Sequence, residues 1–193
     1  MEQRRCAYDL VMRLGRILKK QNPLPYAMGE QRRLKSVLLV MLLVASPWLL
    51  VQGWILVGAP TPSHTSMPSC PDQTMNCASI SADASVRMDA GLSTVIEANV
   101  SEVWDAWQDW SEANGLRDVH EDVEEGGEHF SHRIAITPFW RFPDDVVVQF
   151  TPQGEDTAIS LYSASRLGQS DLGVNPERLE SLHAALVSVQ ADS

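Results

Sequence analysis

Asp144 and Asp145 stand side by side just after Pro143. Paired carboxylates are a device for acid–base work, because two close carboxyls can split their pKa values and share a proton. Adjacent residues of a strand, however, point to opposite faces. The pair therefore has a second reading, in which one carboxylate caps the Pro143 turn and the other makes an ion pair with an arginine across the sheet. A denser set of functional groups runs from Ser163 to Asn175, SASRLGQSDLGVN. Arg166 offers a planar five-donor fork, Ser165, Ser170 and Asp171 supply hydroxyl and carboxylate partners, and Gly168 and Gly173 permit positive φ. This segment could clamp an anionic or hydroxylated ligand. Equally, Arg166 could pair with Asp171 or Asp144 and simply hold a tight loop against a sheet.

A third cluster contains His120, Glu121, Asp122, Glu124, Glu125, Glu128, His129 and His132 and superficially resembles a metal site. In an extended strand His129 and His132 point to opposite faces, and the glutamates gather around an exposed turn. It reads as a solvated acidic tip, and no metal site is assigned. Cys70 and Cys77 have six residues between them, which fits none of the short zinc-ligand spacings. They are a disulfide candidate, with two free thiols as the other possibility. No Ser-His-Asp or Cys-His order, phosphate-binding glycine loop or dinucleotide fingerprint can be read. No catalytic residue and no cofactor is assigned.

The elements that must position these groups follow from periodicity. Thr94–Ala98 reads as a short strand, leading to Ser101 as N-cap of a helix from Glu102 to about Asn114, with Gly115 as the stop. Val103, Ala106, Trp107, Trp110 and Ala113 form its apolar stripe, widened by Trp104. From Asp118 the period becomes two. Glu125-Gly126-Gly127-Glu128 makes a hairpin turn, followed by Phe130, His132, Ile134 and Ile136 inward and Ser131, Arg133, Ala135 and Thr137 outward. Strands are expected at Val146–Phe150 and Thr157–Ser165, and a last helix with Asn175 as N-cap, Pro176 first and Glu177 near the positive dipole end. Leu179, Leu182, Leu186 and Val189 give it a buried stripe. This order implies an α+β domain with a single antiparallel sheet packed against helices.

A 21-residue apolar run, Val37 to Val57, precedes that domain. As a helix it would be about 31 Å long, close to the roughly 30 Å hydrocarbon core of a bilayer. Residues 1–35 carry nine Lys or Arg and three acids, whereas residues 36–193 carry six Arg, no Lys and 22 acids. By the positive-inside rule Arg32, Arg33 and Lys35 keep the N-terminus cytoplasmic, and Trp54 anchors at the outer interface. The divisions are then a basic cytoplasmic segment (1–35), a transmembrane helix (36–58), a Pro-rich linker (59–69) and an exported domain (70–193). A cleaved signal peptide is the competing reading, with Val57 and Ala59 mimicking a small-residue cleavage site and Pro60 opposing it. Leu10, Val11, Leu14, Ile17 and Leu18 alternate with basic residues as an amphipathic helix suited to the inner leaflet or to topology alone. The acidic exported part argues against nucleic acid as a partner.

Three stretches, CPDQTMNC (70–77), TPFWRFPDDVVVQF (137–150) and SASRLGQSDLGVNPERLESL (163–182), resemble the bacterial and plastid family catalogued as domain of unknown function 1499. The Cys pair here has one residue more between its members than the family pattern. Members often carry an N-terminal membrane or export segment, and no activity is established for them. The resemblance implies Phe142, Asp144, Asp145, Ser165, Arg166, Gly168, Ser170, Asp171, Gly173 and Asn175 as motif positions, not as catalytic residues. In addition, VIEANVSEVWDAWQDW (95–110) locally resembles the start of helix-grip domains, which enclose an apolar cavity. The expectation is a single-pass inner-membrane protein whose periplasmic domain binds an envelope protein or small hydrophobic ligand. One alternative is a lipid carrier with Trp104, Trp107, Trp110, Phe130 and Tyr162 around a cavity. The other is an enzyme using Asp144, Asp145, Arg166 and Asp171.

Overall fold

A computed structural model describes residues 25–189. The chain falls into two compact units, Met1–Leu50 and Val51–Ser193. The basic amphipathic segment around Leu10–Lys20, and Cys6, lie outside the described residues.

Helix α1 runs from Pro25 to Gly58 and is continuous through Pro47. Pro25 sits at its first position, where no backbone N–H is needed. Gln31–Gly58 is long and apolar enough to cross a membrane, and none of its most apolar stretch is buried within the protein. A signal sequence satisfies the same length and composition.

The second unit is an α+β domain. Its strands are β1 (Cys77–Ile80), β2 (Ser85–Val86), β3 (Val95–Ile96), β4 (Arg117–Val123), β5 (His129–Ile136), β6 (Pro143–Gln153) and β7 (Asp156–Ser165), with α2 (Val100–Ala113) before β4 and α3 (Val174–Ser188) at the end. All seven strands form one antiparallel sheet in the order β2-β1-β7-β6-β5-β4, with β3 on the early part of β7. Helices α2 and α3 cover one face. There Val146, Val148, Phe150, Ile159 and Leu161 meet Val103 and Trp107 of α2 and Leu179, Leu182 and Leu186 of α3. On the other face Cys77, Phe130, Val147 and Tyr162 form a smaller cluster onto which Met67 and Cys70 pack. The Pro-rich segment thus lies on the sheet over part of its length. A disulfide joins Cys70 to Cys77.

Several local expectations are corrected. Helix α2 is capped by Asn99 rather than Ser101: the Asn99 side chain accepts from the N–H groups of Ser101 and Glu102, and Glu102 reaches back to the Asn99 N–H. This reciprocal arrangement satisfies three backbone donors at the start of the helix. Helix α3 begins at Val174, with Gly173 as N-cap at φ 93°. Asn175 is therefore inside the helix, and the Asp171 carboxylate takes the capping role by accepting from the Gly173 and Asn175 N–H groups. On β5 the faces are exchanged. Ser131, Arg133 and Ala135 lie beneath the helices, because Arg133 reaches α2, where it donates to Ser111 Oγ and Gln108 Oε1 and lies 5.2 Å from the Trp107 ring centroid. Phe130 and His132 face the other side and are buried there.

Candidate functional site

Because side chains alternate along a strand, Asp144 and Asp145 leave β6 on opposite faces, and each enters a separate polar network. Asp145 faces away from the helices. Its Oδ1 accepts from Arg166 Nη2 at 2.7 Å and Nε at 3.0 Å, and lies 2.7 Å from His132 Nε2. His132 is fully buried, and its Nδ1 accepts from the His64 backbone N–H at 3.1 Å. That bond assigns the proton of the neutral ring to Nε2, where it is donated to Asp145. Arg166 also donates to the carbonyls of Pro60 and Pro62. The motif pair Asp145 and Arg166 is therefore a buckle that holds segment 60–64 on the sheet. Burial acts to raise the Asp145 pKa, but hydrogen bonds from His132 and Arg166 prevail and lower it. Burial and Asp145 together raise the Tyr162 pKa. Burial, reinforced by His132, lowers that of His64 despite the opposing pull of Asp145.

His64, His132 and Asp145 bring three potential ligand atoms within 4.8 Å of one another. Their donor geometry does not suit a cation. Both nitrogens of His132 are engaged, one as acceptor and one as donor, and the Arg166 guanidinium already neutralises the carboxylate.

The helix-side network is built around Asn175, which is fully buried. Its Oδ1 accepts from Ser163 Oγ at 2.7 Å and Arg178 Nη1 at 2.6 Å, while its Nδ2 donates to the Asn76 carbonyl at 3.0 Å and Ser165 Oγ at 3.2 Å. Asp171 receives a bidentate Arg87 at 2.8 and 3.0 Å. Burial acts to raise its pKa, but Arg87 and the N–H groups of Gly173 and Asn175 hold it at about 2. Asp144 Oδ2 accepts from Arg178 Nη2 at 2.8 Å. The expected pairing of Arg166 with Asp171 or Asp144 is thus replaced by three separate pairs, Arg166–Asp145, Arg87–Asp171 and Arg178–Asp144. Arg87, Arg178 and His64 escape sequence reasoning. Only Arg178 leaves a trace, three residues after Asn175 on one helix face.

Above the helix-side network is a pocket of about 460 Å³, within the range of small-molecule sites. Phe139, Trp140 and Phe142 of the β5–β6 loop and Leu167 and Leu172 of the β7–α3 loop supply apolar walls; Asp144, Ser165, Ser170 and Asp171 also line it. Asp144 is 1% exposed, and its Oδ1 has no hydrogen-bond partner among the described residues. Of the ten motif positions, Phe142, Asp144, Ser165, Gly168, Ser170 and Asp171 line this pocket, Gly173 and Asn175 bond Asp171 at the start of α3, and Asp145 and Arg166 lie across the sheet. The four residues of the enzyme alternative do not meet in one cleft. Nor do the five aromatics of the carrier alternative share a cavity: Trp107 belongs to the helix-side core, stacked on Trp110, while Phe130 and Tyr162 belong to the opposite cluster.

Fold and site together define a protein with an N-terminal apolar helix of membrane-spanning length and an α+β domain, one face of its sheet closed by two helices and a pocket at one end of the sheet. A family model described as protein of unknown function (DUF1499) matches residues 57–186, more than half of the chain. The chain belongs to that family. A search of curated proteins finds no match. The crystal structure of TTHA0849 from Thermus thermophilus is similar at 18% identity over 51% of this chain and 94% of that one, with a TM-score of 0.29, a likeness too low to support any functional argument.

Proposed function

We propose that this is a single-pass inner-membrane protein, N-terminus cytoplasmic, whose periplasmic domain binds a small, mainly apolar ligand in the pocket between the β5–β6 and β7–α3 loops. The observation that carries this reading is the pocket itself: apolar walls and, among its lining residues, a buried carboxylate one of whose oxygens lacks a partner among the described residues. A buried unsatisfied acceptor costs about 1–3 kcal/mol, a cost that a ligand donor would remove. The charge asymmetry around the apolar helix supports the orientation, and the disulfide suits an oxidising compartment. An envelope protein as partner is the less favoured occupant, since the site is concave and small.

Native mass spectrometry of the full chain, released from mild detergent, tests the reading. The expected result is a stoichiometric extra mass on the wild type that is lost in Val174→Trp, where an indole at the pocket wall fills the space. A bare wild-type protein, or an adduct indifferent to that substitution, would count against it.

A further inference from the structure

The pocket's floor and rim narrow the class of ligand. At the floor, each carboxylate is already matched: Asp144 by Arg178 and Asp171 by Arg87. A cationic head group would bring an unmatched charge to a neutral floor, and an anionic one would meet two carboxylates. Among the described residues, the buried side-chain acceptor of the floor left without a partner is Asp144 Oδ1, and an uncharged donor would satisfy it.

The rim is unlike an ordinary soluble surface. Leu172 is 92% exposed, Phe139 66% and Trp140 40%, and all three line the same opening. Leu172 moreover holds φ at 57°, a left-handed conformation that leucine rarely adopts. An apolar side chain held in water by a disfavoured backbone carries two costs, and lipid around it would remove the hydration cost. The last turns of α1 belong to the same compact unit as the rim. Gln52 Nε2 donates to the Trp140 carbonyl at 2.9 Å, the Trp54 ring meets Phe142 edge-on at 6.1 Å, and Trp54 also lines the pocket. Within this unit, Gln52 and Trp54 therefore contact the loop that forms the rim.

We propose that the ligand is a membrane amphiphile whose head group carries an uncharged hydrogen-bond donor, a hydroxyl or amide N–H, received by Asp144 Oδ1 after passing a rim of Phe139, Trp140 and Leu172 immersed in the outer leaflet. This rests on the ligand-pocket reading above. The probe is a diacylglycerol with a photoreactive diazirine in one acyl chain, compared with the same lipid acetylated at its free hydroxyl. Each is incorporated at equal density into phosphatidylcholine nanodiscs holding the full chain, and labelled peptides are mapped after irradiation. The hydroxyl probe is expected to label the 137–144 and 167–174 peptides at least about tenfold more than the acetylated one, as one hydrogen bond to a carboxylate paired with Arg178 implies. Leu172→Asp, at an exposed site whose backbone aspartate tolerates, should reduce labelling by both probes about tenfold. Equal labelling by the two probes overturns the donor, and labelling unchanged by Leu172→Asp overturns the leaflet route. Absence of label from both peptides with either probe overturns the pocket reading itself.

Discussion

Asp171 shows how much a single carboxylate does here. It pairs with Arg87, caps α3 and lines the pocket, so its ionisation links the loop to the helix. Its carboxyl titrates at about 2 in the folded protein against an ordinary value of 3.8. Between those values the unfolded chain binds more protons, so the stabilisation is complete above the ordinary value and is lost as pH falls toward 2. The shift corresponds to about 2 kcal/mol. Urea unfolding at stepped pH should show Asp171→Asn less stable than wild type at pH 7 by about 1–3 kcal/mol. The two proteins should converge at the acid end, because wild type alone loses this share of its stability. Parallel curves would show that Arg87 does not depend on the Asp171 charge. Asp145, also lowered, contributes in the same direction in both proteins.

Among the elements, the segment between α1 and β1 has a composition that conceals its role. Three prolines and several small polar residues in 59–69 read as a tether, yet His64 and Met67 are half-buried on the sheet and Arg166 bonds two of its carbonyls. A polar segment can pack closely when its backbone supplies the hydrogen bonds, which no hydrophobic pattern records. Arg166→Lys replaces a planar fork that serves Asp145, Pro60 and Pro62 at once with a single ammonium. Expected is a loss of about 1–3 kcal/mol in domain stability, with faster hydrogen exchange concentrated in 60–67. Ligand adducts measured below the unfolding transition should be unchanged, because Arg166 lies across the sheet from the pocket. Loss of the adduct with stability retained would instead make Arg166 a binding residue.

At the scale of the whole molecule, the opposite charges of its two ends make a prediction that needs no knowledge of the ligand. Alkaline phosphatase fused after Ser193 should be active in a Gram-negative host and inactive when fused after Lys35, as expected for a cytoplasmic N-terminus. The intact mass should include residues 1–58. A mature protein beginning at Pro60 would show that the apolar helix is a cleaved signal, and the reverse fusion pattern would overturn the orientation. A cleaved helix would also detach the pocket from the membrane and remove the reason for an amphiphile that enters from the leaflet.

Much of the architecture is legible in the chain alone because it rests on periodicity and on residues with narrow conformational preferences. The apolar run, the Gly126-Gly127 turn, the strands from His129 to Ser165 and the Leu179, Leu182, Leu186 stripe all belong to this class. That Asp144 and Asp145 part company also follows from the pleat. Tertiary structure alone decided which arginine meets which carboxylate, since Arg87 and Asp171 are 84 residues apart and nothing local relates them. It also decided the face on which β5 buries His132 and Arg133, because both sides of that strand are covered and alternation of hydrophobicity loses its meaning when each face has polar partners. The pocket is the extreme case. Its walls come from two loops on different strand connections, and at its floor Arg178 bonds one oxygen of Asp144 while the other has no partner among the described residues.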